Sequence, residues 1–133
     1  NKTITFDKTQ AMKFEGETGP YIQYTYARAT SILKKSNKQP KLTMPKIIDK
    51  NILPLIKKLS ELTETTQRAA TQLNPAIVAH YSYQLSQLFN EFYHNTKVID
   101  NENEQFLLKV IDLFRTTLKT SLNLLGIDVL EEM

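Results

Sequence analysis

Residues 15–35 read EGETGPYIQYTYARATSILKK, and most of the fold can be worked outward from them. Thr18-Gly19-Pro20 is a helix start. Proline at the first helical position loses no needed N–H, and its fixed φ suits the helix. A residue before proline is disfavoured in the α region, so Gly19 is expected to stand outside the helix and Tyr21–Lys35 inside it. Ile22, Tyr26, Ala29 and Leu33 then recur at four-, three- and four-residue intervals and form one apolar stripe. Tyr21, Tyr24, Arg28 and Lys35 form a second stripe that combines aromatic faces with positive charge. Such a stripe suits exposed nucleic-acid bases, which stack on rings while their phosphates meet cations. Taken on spacing alone, tyrosines at helical intervals are more often plain core or rim packing.

Upstream, Ile4-Thr5-Phe6-Asp7 leads into a short helix over Lys8–Phe14 with Asp7 as its N-cap. Downstream, Ser36–Pro45 holds two prolines and two lysines and reads as a surface linker. Asp49 precedes Ile52, Leu55, Ile56, Leu59 and Leu62 at helical intervals, with Pro54 near the start, where it is tolerated. The pattern weakens through Thr63–Gln72, which reads as a second helix after a bend. Asn74-Pro75 pairs a good N-cap with a helix-starting proline. Ile77, Val78, Tyr81, Leu85, Leu88, Phe89 and Phe92 then give a wide apolar face from Pro75 to about His94. Polar Asn95–Asn103 supplies a loop. The last helix, from about Glu102 to Leu125, turns Phe106, Leu107, Val110, Ile111, Phe114, Leu118, Leu122 and Leu125 inward, and Gly126 is its left-handed cap. Two-residue alternation never lasts long enough for a sheet. The expected fold class is all-α, a bundle of five to six helices.

At 133 residues the chain fits one domain with a real core, and its lack of cysteine excludes disulfides and thiolate metal sites. No apolar run approaches a membrane span and no signal-peptide pattern opens the chain. It begins at Asn1 without methionine and enters in mid-pattern, as a piece of something longer would. Residues 1–46 carry nine Lys/Arg against three acids, a balance of +6, and residues 47–133 carry eight against eleven, a balance of −3. Lys34, Lys35, Lys38, Lys41 and Lys46 run with no acid between them, which makes either a solvated linker or a phosphate-facing edge. His80 and His94 fit no metal pair on one helical turn, and the Asp100–Glu104 acids lack the glycine and final glutamate of a calcium loop. No catalytic set can be assembled from this chain.

Phe14 to Leu33, FEGETGPYIQYTYARATSIL, closely resembles the segment that leaves the catalytic domain in arginyl-tRNA synthetases, with Gly19-Pro20-Tyr21, Gln23-Tyr24 and Ala27-Arg28 in register. Leu88-Phe89-Asn90-Glu91-Phe92-Tyr93-His94 and the ending Leu124-Leu125-Gly126-Ile127 through Met133 resemble the α-helical anticodon-binding domain of that family, the DALR domain. Two departures stand out. Phe106-Leu107-Leu108 occupies the place of the family's alanine-arginine-leucine, leaving Leu107 as core, and Val129-Leu130 stands where a proline commonly precedes an acid.

The resemblance implies a class I enzyme in the cytoplasm that activates arginine with ATP and magnesium and transfers it to tRNA. The histidine-glycine-histidine and lysine-methionine-serine signatures are not in this chain, so the chemistry would belong to a catalytic domain upstream and this piece would hold no cofactor. Residues 1–36 would be helices leaving the catalytic domain and packed on the bundle, and 37–133 the anticodon-binding domain. Its partners would be that catalytic domain and the anticodon loop of arginine tRNA, with no membrane and as a monomer. On the anticodon side the resemblance places Tyr21, Tyr24, Phe89, Tyr93 and Met133, with Arg28 and Lys35 as cations. Phe89 also falls on the Leu85–Leu88–Phe92 core face, and Arg28 could instead close a salt bridge inside the bundle. A helical protein–protein adaptor would use the same stripes to dock a partner helix.

Overall fold

A computed structural model describes residues 7–13, 16–45 and 47–133. The expected lead-in at Ile4-Thr5-Phe6, Phe14 and Lys46 lie outside the described residues, and the first helix, expected to run to Phe14, ends at Ala11 with Met12 as its C-cap. Among the described residues every regular element is helical: α1 (Lys8–Ala11), α2 (Gly19–Lys35), a 3₁₀ turn (Lys50–Ile52), α3 (Leu53–Ser60), α4 (Leu62–Thr71), α5 (Ala76–Asn95) and α6 (Glu104–Asn123). Helices α2, α5 and α6 pack on one another, α4 lies along α5, and α3 touches both α5 and α6.

Local chemistry explains where the helices begin and end. Asp7 caps α1 by accepting from the Thr9 and Gln10 N–H groups. In α2 the extended cap is Thr18 (φ −123°, ψ 152°), whose hydroxyl accepts from Tyr21 N–H. Gly19 is therefore the first helical residue rather than an outlier before the helix. Without a Cβ it escapes one of the two clashes that keep a pre-proline residue out of the α region. The bend after α3 falls at Glu61. Leu73, at φ 48°, closes α4 in the left-handed conformation. The Asn74 N–H bonds back to the Ala69 carbonyl, and the Leu73 N–H to that of Ala70, the paired pattern of a helix end that usually calls for glycine. Asn74 Oδ1 then accepts from Ala76 N–H at 3.1 Å and starts α5. At the end of α6 the same pattern recurs with Gly126 at φ 73°.

One core cluster holds the three long helices together. Tyr26, Ala29 and Ile32 come from α2, Tyr81, Leu85, Phe89 and Phe92 from α5, and Phe106, Leu107, Leu108, Val110, Ile111, Phe114, Leu118 and Leu122 from α6. The α2 stripe thus faces inward as its spacing predicts, with Ile22 and Leu33 packed at the cluster's edge. Phe106-Leu107-Leu108 is buried throughout. The Asn95–Asn103 loop is less polar in its placement than in its composition, since Val98 is buried in the core and Ile99 packs against it. Small residues let α5 and α6 approach closely, and the buried Ser82 and Ser121 hydroxyls meet at 2.9 Å between them. Tyr81 ties α5 to α3 by donating to the Lys58 carbonyl at 3.0 Å, and burial pushes its phenol up to about 12.

A charged group also helps close the bundle. Glu104, only 4% exposed, stands at the first position of α6. It accepts from the Ser36 hydroxyl at 2.7 Å and the Asp100 N–H at 3.2 Å, and pairs with Lys38 at 2.9 Å. Hydrogen bonds from Lys38 and Ser36 hold its carboxyl below the ordinary range, outweighing the opposite push of burial. This cluster pins the end of α2 to the start of α6.

Two expectations follow. Phe114→Ala, which empties a fully buried ring site, should cost about 3–5 kcal/mol, whereas Asn74→Ala should cost about 1 kcal/mol through the lost cap. Urea melts that rank Asn74→Ala as the more damaging would refute this placement of the core. For Glu104 the folded pKa lies below the unfolded one. Its contribution to stability is therefore complete above the unfolded value of about 4.3 and drains away as pH falls through the depressed folded value. Glu104→Gln should accordingly be less stable than the parent at pH 7, with the gap narrowing on acidification. Urea midpoints that keep a constant gap down to about pH 3 would show that the carboxylate charge is not what matters.

Candidate functional site

The site is built on the line where α2 and α5 cross, beside the last residues of the chain. It begins in the core. Phe114 and Phe89, each 0% exposed, stack with ring centroids 4.1 Å apart. One turn further along α5, Tyr93 lies parallel to Phe89 at 2° with centroids 6.4 Å apart. The Arg28 guanidinium comes next, 5.6 Å from the Tyr93 ring centroid and 4.7 Å from that of Tyr24. A continuous ladder thus leads from the middle of the bundle to two tyrosines that are each 40% exposed. Cation–π attraction favours this placement of Arg28 between two ring faces.

Arg28 is also held from one side by hydrogen bonds. Its Nη1 donates to Asn90 Oδ1 at 2.6 Å and its Nη2 to the Tyr24 hydroxyl at 3.1 Å. Asn90 in turn donates from Nδ2 to the Tyr21 hydroxyl and the Thr25 hydroxyl, both at 2.9 Å. Every hydrogen of that amide is therefore used within the α2–α5 seam. The salt bridge inside the bundle that the sequence left open for Arg28 is replaced by this neutral partner, so the guanidinium charge is oriented without being cancelled there.

Around the ladder lies a cleft of about 1170 Å³, whose lining includes Tyr24, Arg28, Lys35, Tyr93, Lys97 and Met133. Five of the seven residues expected to bind are thereby gathered on one surface. The other two differ. Phe89 is fully buried and out of reach of any ligand, so its expected stacking role is corrected to that of a support behind Tyr93. Tyr21 is half-buried, with its hydroxyl on Asn90 and its ring tilted against Tyr83 at 5.6 Å, and it supports the floor rather than lining the cleft.

The C-terminal residues form one wall. Gln23 Nε2 donates to the Asp128 carbonyl at 2.7 Å, and Gln23 Oε1 accepts from Leu130 N–H at 3.0 Å. Val129, between those two peptide groups, packs on the core cluster. Farther along, Lys34 pairs with Glu132 at 2.9 Å, a hydrogen-bonded contact that pushes the ammonium pKa up and the carboxyl pKa down. Asn90 and Gln23 stand inside the quoted motifs but are not expected site residues, because an amide carries neither charge nor a stacking face. Their common signal was position, since Gln23 lies in the quoted aromatic segment and Asn90 between two aromatic turns. Among the described residues no three His, Cys, Asp or Glu side chains come together as metal ligands.

This arrangement can grip a flat, apolar and locally anionic ligand: two ring faces, a fixed guanidinium and flanking lysines are what unstacked nucleotides need. The model of the DALR anticodon-binding domain matches residues 22–133. The arginine–tRNA ligase of Oenococcus oeni is 40% identical over 100% of this chain, which amounts to 24% of that protein. That of Enterococcus faecalis is 39% identical over 93% of the chain and 22% of the protein. The Thermus thermophilus arginyl-tRNA synthetase structure superposes with a TM-score of 0.89 at 33% identity, covering 99% of this chain and 24% of that one. The Plasmodium falciparum arginyl-tRNA synthetase gives 0.86 at 27% identity, covering 100% and 24%. The chain spans about a quarter of the length of the curated relatives it matches.

Asn90→Ala should cost about 1–3 kcal/mol, because it strands polar partners on both helices. Tyr21→Phe removes only one of those bonds and should cost about 1 kcal/mol or less. Equal losses for the two variants in urea melts would mean that Asn90 is not the junction described.

Proposed function

The chain belongs to the DALR anticodon-binding domain family, and from that premise we propose that it is the tRNA-holding part of an arginine–tRNA ligase. It binds the anticodon loop of arginine tRNA in the cleft between α2, α5 and the C-terminal residues. Activation of arginine by ATP with magnesium, and transfer to the tRNA, belong to a catalytic domain elsewhere in the same enzyme. The reading places that enzyme in the cytoplasm with its tRNA, and it needs one copy of this chain per anticodon loop.

The observation that carries the proposal is the Tyr24–Arg28–Tyr93 arrangement inside a cationic cleft. Anticodon bases unstack readily, and sequence-specific RNA readers favour such single-stranded loops. Tyr24 and Tyr93 offer ring faces to bases, Arg28 offers a fixed donor and charge, and Lys35 and Lys97 meet phosphates. Met133 adds an apolar surface at the edge. The adaptor alternative would need a free apolar stripe, yet the α2 stripe is already used against α5 and α6.

Binding curves with an anticodon stem-loop test this. Tyr24→Ala and Tyr93→Ala should weaken binding by about 1–3 kcal/mol, roughly fivefold to a hundredfold. Phenylalanine should keep most of it at Tyr93, and less at Tyr24, where the hydroxyl also holds Arg28. Lys35→Ala should lower affinity for any tRNA and flatten the salt dependence by about one phosphate's share. If the alanine variants melt normally and bind as tightly as the parent, the tyrosines are packing residues and the stacking model fails.

A further inference from the structure

The C-terminal wall is not held by a helix, a strand or a disulfide. Its polar attachment to the bundle starts with one side chain, Gln23, which grips the peptide groups on either side of Val129. Such a grip needs a side chain that donates and accepts at the same time, from atoms on one rigid plane. Glutamine does so, glutamate cannot donate when ionised, and asparagine is one methylene shorter. The accepting half of the grip also depends on the N–H of Leu130, which a proline at that place would lack. Val129, seated on the core, fixes how the strap faces, and the Lys34–Glu132 pair continues the attachment toward the end of the chain. Glu131, Glu132 and Met133 then line the same cleft as Tyr93.

We propose that Gln23 is a positioning residue for ligand binding in this cleft: it fixes the Asp128–Leu130 backbone and so sets Met133 and the terminal acids at the wall before the ligand arrives. The inference rests on the reading of the cleft as a site for unstacked RNA bases. Gln23 itself touches no ligand. Its effect passes through the strap, so it should disappear when the strap's end is removed. Without the grip, binding must order the strap anew, and fixing about one residue of backbone costs enough to weaken affinity about fivefold to thirtyfold. The Lys34–Glu132 pair cannot replace the grip, because exposed ion pairs contribute little to holding a segment in place.

The test uses Gln23→Ala in the full chain and again in the chain shortened by Glu132 and Met133, with an anticodon stem-loop as the probe. Amide hydrogen exchange at Leu130, measured without RNA, reports on the strap directly. In the full chain, Gln23→Ala should expose the Leu130 amide, leave the melting temperature of the bundle within a few degrees of the parent, and weaken stem-loop binding about fivefold to thirtyfold. In the shortened chain the same substitution should change binding less than twofold, a loss of coupling that a general destabilisation would not produce. Three results would overturn the proposal: a Leu130 amide equally protected in Gln23→Ala, a strap released with no change in binding, or an undiminished effect in the shortened chain. If the parent chain fails to bind the stem-loop at all, the functional reading falls and this inference falls with it. If the parent binds while Gln23→Ala binds equally well, this inference alone fails.

Discussion

The face-to-face contact of Phe89 with Phe114 is the interaction on which the rest depends. It is the point where α5 meets α6 at the centre of the core, and it also fixes the rotation of α5 about its own axis. That rotation decides where Tyr93 points, and Tyr93 decides where Arg28 can rest. A packing contact with no polar atom in it therefore orients a charged group about two rings away. A guanidinium held between rings and by Asn90 keeps few of the rotamers an exposed arginine would sample, so a ligand loses less entropy on meeting it. Core packing and site geometry are here one structure.

Charge in this molecule is arranged in space rather than along the chain. The lysine run that starts in the last turn of α2 has no acid within it, yet Lys34 is paired with Glu132 and Lys38 with Glu104. Those acids come from the far end of the chain and from the start of α6. The first pair lies at the cleft wall, and the second fastens helices on a buried carboxylate. What remains positive along the cleft comes from Arg28 in mid-helix and Lys35 at the end of α2, while Lys97 in the loop after α5 also meets Asp100 at 3.8 Å. A count of lysines in a linear segment would have placed the positive edge too broadly.

The helices were legible because their signals are local. Pro20 and Pro75 mark starts, Gly126 marks an end, and the stripe of Ile22, Tyr26, Ala29 and Leu33 states which side of α2 faces inward. The tight turn at Leu73 was not legible, since a leucine takes the left-handed position that glycine usually fills. The site was legible in part. Helical spacing brought Tyr24 together with Arg28 and Phe89 with Tyr93, but spacing within one helix cannot say which member of a pair is covered by another helix. Phe89 was lost to the core for that reason. Asn90 and Gln23 stayed hidden because their partners are distant in sequence and their chemistry is ordinary until the fold brings those partners within 3 Å.

The strap that Gln23 holds lies 107 positions along the chain from it. During synthesis α2 is made long before the strap that Gln23 holds, so the two can meet only late. While it waits, α2 exposes Tyr26, Ala29 and Ile32, which become covered only once α5 and α6 have emerged. The hairpin of α4 and α5 can close from near neighbours, whereas the cleft needs contacts of long loop-closure entropy. Closure of the cleft thus comes after the helices of the bundle have been made, because the strap that completes its wall follows α6 in the chain.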